Sequence, residues 1–237
     1  MIPVLILTRN CLELTKLCVD SVWRQDVPAQ VHVYDNESSD GTKEWLSSTE
    51  GIIDQSSGVN LGVSAAWNFA LDIIFSTTND GARGWSADHV LVLNNDAIVP
   101  PWFCSELLSY DAPFVTGVAI DKQPVAKPER MPLNPHPDFS AFLIRRDCWL
   151  TVGPFDERMK LYASDCDFHI RAHRLGIPLW KANVPYYHVN SQTLKRATPE
   201  DRAIIEAQAN ADRAVFHSLY GCLPGTAEYE ALFKEGK

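Results

Sequence analysis

Four times before residue 110, a short apolar run gives way to a stretch with helical periodicity. That alternation is the strongest constraint on the fold. Ile2 to Leu7 reads as a buried strand, and Leu12 to Gln25 carries apolar residues at 14, 17, 18, 22 and 23, a helical spacing. Val31 to Tyr34 forms a second strand, ending in Asp35, and Asp40 is placed to cap a helix running through Leu46. Gly51 to Asp54 is a short third strand. Gly62 to Ser76 follows as a helix with Val63, Ala66, Trp67, Ala70, Leu71 and Ile74 on one face. His89 to Leu93 and Phe114 to Ile120 are the fourth and fifth strands. Strands spaced by helices predict βαβ units, hence an α/β fold with a Rossmann-like, mostly parallel central sheet flanked by helices.

Beyond residue 120 the pattern changes. Residues 121–138 hold Pro124, Pro128, Pro132, Pro135 and Pro137, which reads as a long irregular loop. Ser140 to Arg145 resumes a strand, and Ser164 to Leu175 is a helix closed by Gly176. Pro178 to Ala182 and Tyr186 to Val189 read as two short strands. Pro199 to Tyr220 is a long helix, with Thr198 as its cap and Pro199 in its first turn. It is expected to pack across the sheet or form an interface, including that of a homodimer. The residues after it read as a frayed tail.

A length of 237 residues suits one large domain, at most with a small appendage. The formal charge of −9, from 21 Lys plus Arg against 30 Asp plus Glu, disfavours a basic nucleic-acid binder. No run approaches 18 apolar residues, so no stable membrane insertion is expected. The segment Met1 to Arg9 lacks a basic start and a small-residue cleavage site, so it is not read as a signal peptide. The six cysteines form no C-x-x-C pair, which argues against a zinc site or a disulfide framework. Reduced thiols in a cytoplasm fit this pattern.

Ligands of open α/β sheets bind beyond the carboxyl ends of the strands. The polar groups placed there are Thr8-Arg9-Asn10, Asp35-Asn36-Glu37 and Asn94-Asn95-Asp96. Asn94-Asn95-Asp96 is either a turn rich in Asn and Asp or a ligand set for Mg²⁺ or Mn²⁺, which favour oxygen. Capping explains Asp40 but not Asp35, which could accept hydrogen bonds from a base or ribose. Gly58 and Gly62 flank a helix start, where free N–H groups can receive a phosphate. Asn68, inside that helix, is either an exposed position or a functional one. Asp165 and Asp167 lie at another helix start. One can be a cap and the other a general base, and Ser164 as cap would free Asp165. His188, after a short strand, is a metal ligand or a buried structural group. His136, His169, His173 and His217 read as surface or structural.

The order of these motifs resembles that of the family 2 glycosyltransferases with the GT-A fold, particularly the rhamnosyltransferase-like members. The series runs Thr8-Arg9-Asn10, Asp35-Asn36-Glu37-Ser38-Ser39-Asp40-Gly41-Thr42, Asn60-Leu61-Gly62 with Asn68, and Asn94-Asn95-Asp96. It continues through Gly153-Pro154-Phe155-Asp156-Glu157 and Ser164-Asp165-Cys166-Asp167 to His188. The resemblance covers roughly residues 2 to 193. It implies a GT-A domain over 1–193, with a nucleotide-sugar half (1–96) and an acceptor half (97–193), then a C-terminal helical extension over 194–237. The implied activity is transfer of a sugar from a nucleoside-diphosphate donor to an acceptor hydroxyl, with inversion, under Mn²⁺ or Mg²⁺. Thr8, Arg9 and Asn10 then match the first loop beside the nucleotide, and Asp35 with Asn36 the base-binding end. Asn60, Gly62 and Asn68 match the segment along ribose and diphosphate. Asn94, Asn95 and Asp96 match the D-x-D motif, with Asp96 as main metal contact. Asp165 matches the catalytic base, and His188 the histidine that completes the metal site.

The sequence departs from that pattern at Asn94, an oxygen donor with less charge than Asp, and at Ser164, where Glu is common. Phe139-Ser140-Ala141-Phe142 lacks the glycines usual there. The family's frequent C-terminal membrane helices are missing, which favours addition of a single sugar over processive synthesis. A sugar-nucleotide pyrophosphorylase would need a glycine-rich basic loop where Thr8-Arg9-Asn10-Cys11-Leu12-Glu13 stands. A non-catalytic sugar-nucleotide or glycan binding module is the alternative of a different class. The donor is expected to be a UDP- or dTDP-sugar. The acceptor is left open among a glycan, a protein, a small molecule and a modified nucleic-acid base.

Overall fold

The computed structural model describes residues 1–76, 87–134, 137–189 and 198–234. The strands are β1 (Ile2–Thr8), β2 (Ala29–Asp35), β3 (Ile52–Asp54), β4 (His89–Asn94), β5 (Ala97–Ile98), β6 (Phe114–Ile120), β7 (Ala141–Arg145) and β8 (Trp180–His188). The helices are α1 (Leu12–Trp23), α2 (Thr42–Ser48), α3 (Gly62–Phe75), α4 (Phe103–Leu108), α5 (Arg146–Val152), α6 (Ser164–Arg174), α7 (Pro199–Tyr220) and α8 (Ala227–Ala231). All eight strands join one sheet in the order β3-β2-β1-β4-β7-β6-β8-β5. The first half pairs in parallel: β1 with β2 and β4, and β2 with β3. In the second half, β7 pairs antiparallel with both β4 and β6, while β6 and β8 are parallel.

Strand periodicity sorts the core into two layers. Val4 and Ile6 face one side with Val19, Val22 and Leu107, whereas Leu5 and Leu7 face the other with Trp67, Leu71 and Phe168. Leu91 and Leu93 against Val90 and Val92 divide the same way on β4. With both faces covered, β1 is buried along its whole length, which explains its unbroken apolar run. A third cluster joins Met159, Ala163 and Ile170 to Phe216, Cys222 and Tyr229, and holds the C-terminal helices to α6. All six cysteines are free thiols.

Several expectations need correction. The two short strands read over 178–182 and 186–189 are one strand, Trp180–His188. Pro185 sits inside β8, where the register to β6 shifts between Thr116 and Val118 and absorbs it. The tail is ordered rather than frayed over 227–231, because Tyr229 is buried in the third cluster. Helix α7 packs on the 159–163 turn and α6, not across the sheet. Thr198 does cap it, its hydroxyl accepting the Asp201 N–H at 3.1 Å. Asp40 stands one residue before the cap position of α2. Its carboxylate accepts the Thr42 hydroxyl at 2.6 Å and the Leu12 N–H at 2.8 Å, so it serves the starts of α2 and α1 together.

Gly62 opens α3 with φ 81°, and a Cβ there would lie 2.9 Å from the Lys160 carbonyl oxygen. Gly62→Ala is expected to lower stability by about 2 kcal/mol and Tm by about 4–8 °C. Gly58 shares φ 81° but has open space around it, so Gly58→Ala should cost visibly less in a parallel melt.

Candidate active site

The chain runs β1, β2, β3 toward one edge and then returns to place β4 on the other side of β1. That reversal is a topological switch point, where the loops after adjacent strands part and leave a crevice. A cleft of about 450 Å³ opens there, at the carboxyl ends of β1 and β4. Thr8, Arg9, Asn36, Asn60, Asn94, Asn95 and Asp96 line it from the parallel half. Asp138, Ser164, Asp165 and His188 line it from the second half. Residues far apart in sequence therefore share one cavity.

The turn after β4 is held from behind. The Asn95 amide donates to the Thr8 hydroxyl (3.0 Å), the Asn10 carbonyl (3.1 Å) and the Thr15 hydroxyl (3.1 Å). This buried network ties the first loop to the turn and presents Asp96 at a set position. Strand β5 pairs antiparallel with β8, Ala97 opposite His188. That register brings His188 Nε2 within 3.0 Å of Asp96 Oδ1. Burial pulls the His188 imidazole down, but the bond to Asp96 and its charge, with Asp138 behind, outweigh it and the net shift is upward.

Asp165 and Asp167 have different surroundings. Asp167 is buried, bonded to Arg171 at 2.8 Å and to the Tyr220 hydroxyl at 2.6 Å. Asp165 is half-buried in the cleft and its carboxylate accepts the Cys166 N–H at 2.9 Å. Burial pushes its carboxyl above the usual range; bonds from Cys166 oppose this and the nearby Asp138 adds to it. Neither acid is the cap of α6. Ala163 holds that position at φ 67°, and the Ser164 hydroxyl accepts from Ser64 at 2.8 Å.

Other candidates lie behind the cleft rather than in it. The Asn68 amide donates to the Phe155 carbonyl (2.9 Å) and Glu157 (3.0 Å) and accepts the Phe155 N–H (2.8 Å), so it clamps the 155–157 turn. Asp35 is buried, pushed up by burial against bonds from Ser38. Ser38 in turn accepts the Asn10 N–H at 2.6 Å. The N–H groups at the start of α3 do not await a phosphate. Those of Leu61, Gly62 and Val63 go to Asn36 (2.7 Å), Asn60 (3.0 Å) and the Lys160 carbonyl (2.6 Å).

Asp138 escaped notice because it sits in the proline-rich loop, with no strand or helix start to frame it. Tyr162 and Ile205 also reach the cleft, by packing that no local pattern signals. His136 lies outside the described residues. His169 and His173 pack against Phe233 with tilted rings, and His217 is exposed.

The sequence model of Glycosyl transferase family 2 matches residues 4–176, well over half of the chain. The chain belongs to this family. Its fold is GT-A, as similar solved structures also show. S. aureus TarS superposes with a TM-score of 0.59 at 16% identity, over 98% of this chain and 47% of that one. The chain thus spans about half the length of that relative. The mannosyltransferase PcManGT from Pyrobaculum calidifontis, in complex with GDP-Man and Mn²⁺, gives 0.56 at 15% identity, over 98% of this chain and 78% of that one. Residues 1–349 of S. aureus TarS in complex with UDP give 0.58 at 14% identity, over 99% and 70%. No curated protein matches the chain. Among the described residues, no helix is long and apolar enough to cross a membrane.

Proposed function

We propose that this glycosyltransferase is a metal-dependent, inverting enzyme that moves a sugar from a nucleoside-diphosphate donor to an acceptor hydroxyl. The observation that carries the reading is one cleft holding both the Asp96–His188 pair and the half-buried Asp165. A diphosphate leaving group and an attacking hydroxyl need those two kinds of residue: one set to hold a cation, one to take a proton.

The donor set fits a divalent cation. Among the described residues no three His, Cys, Asp or Glu side chains gather around one point, so a resident all-protein cage is absent. One carboxylate, one imidazole and the neighbouring Asn94 suit a Mn²⁺ or Mg²⁺ that takes its remaining ligands from substrate phosphates and water. Bound there, the cation neutralises charge growing on the diphosphate.

The chain's own residues supply the rest. Asn36 and Asn60 shape the wall beside the nucleotide, and Arg9 adds a positive charge at the cleft. Asp165 accepts the acceptor proton as its oxygen bonds to the anomeric carbon. The bond from that carbon to the diphosphate breaks, and its electron pair leaves with the nucleoside diphosphate. The transition state is oxocarbenium-like, and one base is enough for inversion. UDP and dTDP are the proposed carriers, because Asp35 matches the family's base-binding acid; its carboxylate, held behind the cleft wall by the Ser38 N–H, would have to turn toward a pyrimidine edge.

The deciding experiment is nucleoside-diphosphate release from a panel of sugar nucleotides, with Mn²⁺, Mg²⁺ or EDTA. Release from one donor that stops in EDTA supports the reading. Metal-dependent nucleotide binding without turnover on any acceptor would instead favour a binding module.

The pH profile is a second test. Asp165 acts as a base only when ionised, and its carboxyl is raised by burial, so the acid limb of kcat should lie above the ordinary carboxylate range of about 4. His188 must lose its proton to hold a cation, and its imidazole is raised on balance, so Mn²⁺ affinity should fall with pH earlier than for a free histidine. Separate titrations of kcat and of Mn²⁺ affinity distinguish the two limbs.

A further inference from the structure

The segment from Met159 to Ala163 carries the chain into α6 and lines the cleft with Leu161 and Tyr162. On one side it abuts the start of α3. The Lys160 carbonyl accepts the Val63 N–H at 2.6 Å, against the close approach of Gly62. On the other side three successive N–H groups, those of Lys160, Leu161 and Tyr162, converge on one carboxylate. They reach Asp212 of α7 at 3.0, 2.8 and 2.9 Å. Successive N–H groups in a turn form a concavity that binds an anion. Here the anion is built in. Asp212 is fully buried, and the Gln208 side chain donates to its Oδ1 at 2.7 Å.

The next residue, Ala163, has φ 67°. A left-handed alanine is strained, so the turn keeps this shape only where its surroundings impose it. Two residues later comes Asp165. Helix α7 lies outside the stretch matched by the family model, which ends at residue 176. The anchor therefore comes from outside the stretch that the family model matches.

We propose that Asp212 is a positioning residue for glycosyl transfer: by clamping the 160–162 turn it fixes the orientation in which Asp165 meets the acceptor. This rests on Asp165 being the base. It also gives the C-terminal helix a part in the chemistry, since cutting α7 away would remove the clamp.

The test compares Asp212→Asn with the parent protein. The amide keeps the volume but loses the charge that three N–H groups share. Expected are a 10- to 100-fold lower kcat, donor affinity within about threefold of the parent, and a displaced acid limb of the kcat profile. Adding Asp212→Asn to Asp165→Asn should lower residual turnover no further, because both act through one carboxylate. Gln208→Met removes one donor to Asp212 and serves if Asp212→Asn does not fold. It should lower kcat 3- to 10-fold without moving donor affinity. Parent-like kcat in the folded variant, or equal losses of kcat and donor affinity, would overturn the proposal. If Asp165→Asn keeps full turnover while Asp212→Asn loses it, the base assignment fails instead, and Asp212 acts on the cleft by another route.

Discussion

Asp165→Asn should lower kcat for sugar transfer by about 10²- to 10⁴-fold, the usual contribution of a positioned general base. Donor affinity, measured by calorimetry with a divalent cation present, should stay within about threefold. The amide keeps the shape and the bond to the Cys166 N–H but cannot take the acceptor proton. Stability should move the other way. A carboxyl raised by burial favours folding below its unfolded pKa and opposes it once pH passes the folded value. At neutral pH the ionised Asp165 is therefore a local cost, and the amide should raise Tm by roughly 1–3 °C. An inactive variant that melts higher while binding donor normally has lost a functional group, not its fold. Unchanged kcat would shift attention to Asp138, the other acid in the cleft.

Asp96→Ala should remove metal-dependent turnover, a loss of about 10²- to 10³-fold that raising Mn²⁺ concentration restores only in part. Asp96 differs from Asp165 in what fails. Without Asp96, donor affinity in the presence of Mn²⁺ should drop to the level that the parent shows in EDTA. His188→Ala should act in the same direction but less, since the carboxylate remains. The two positions are coupled through the 3.0 Å contact, so the double variant should lose less than the product of the single losses. Full metal response in Asp96→Ala would exclude this pair as the cation site.

The fold was legible where the signal is local. The unbroken apolar run of β1, the single-faced periodicity of α3 and the Thr198-Pro199 start of α7 each read correctly, because burial and capping dictate those patterns directly. Of the short helices before α6, only α2 showed, through Asp40 ahead of it. α4 and α5 are six and seven residues long, too few turns for a period to stand out. Pro185 made one strand read as two, because a proline normally ends a ladder; here the extra residues between Lys181 and Pro185 bulge out of β8 against Thr116–Val118 of β6, and the pairing resumes beyond them.

The site divides along the same line. Sequence alone determined that polar groups end the parallel strands, and motif order pointed to Asp96, Asp165 and His188 as a set. Strand order is what decides that a polar turn becomes part of a site. Ala97 opposite His188 creates the Asp96 contact across about ninety residues, and no local pattern encodes that pairing. Tertiary structure also separated Asp165 from Asp167, alike in sequence, by giving one to Arg171 and Tyr220 and leaving the other in the cleft. It withdrew Asn68 into a clamp and brought in Asp138 and Asp212. A side chain's chemical type is written in the sequence. Its partners are set by which segments the packed core brings together, and those partners decide whether an acid caps, clamps or stays available to a substrate.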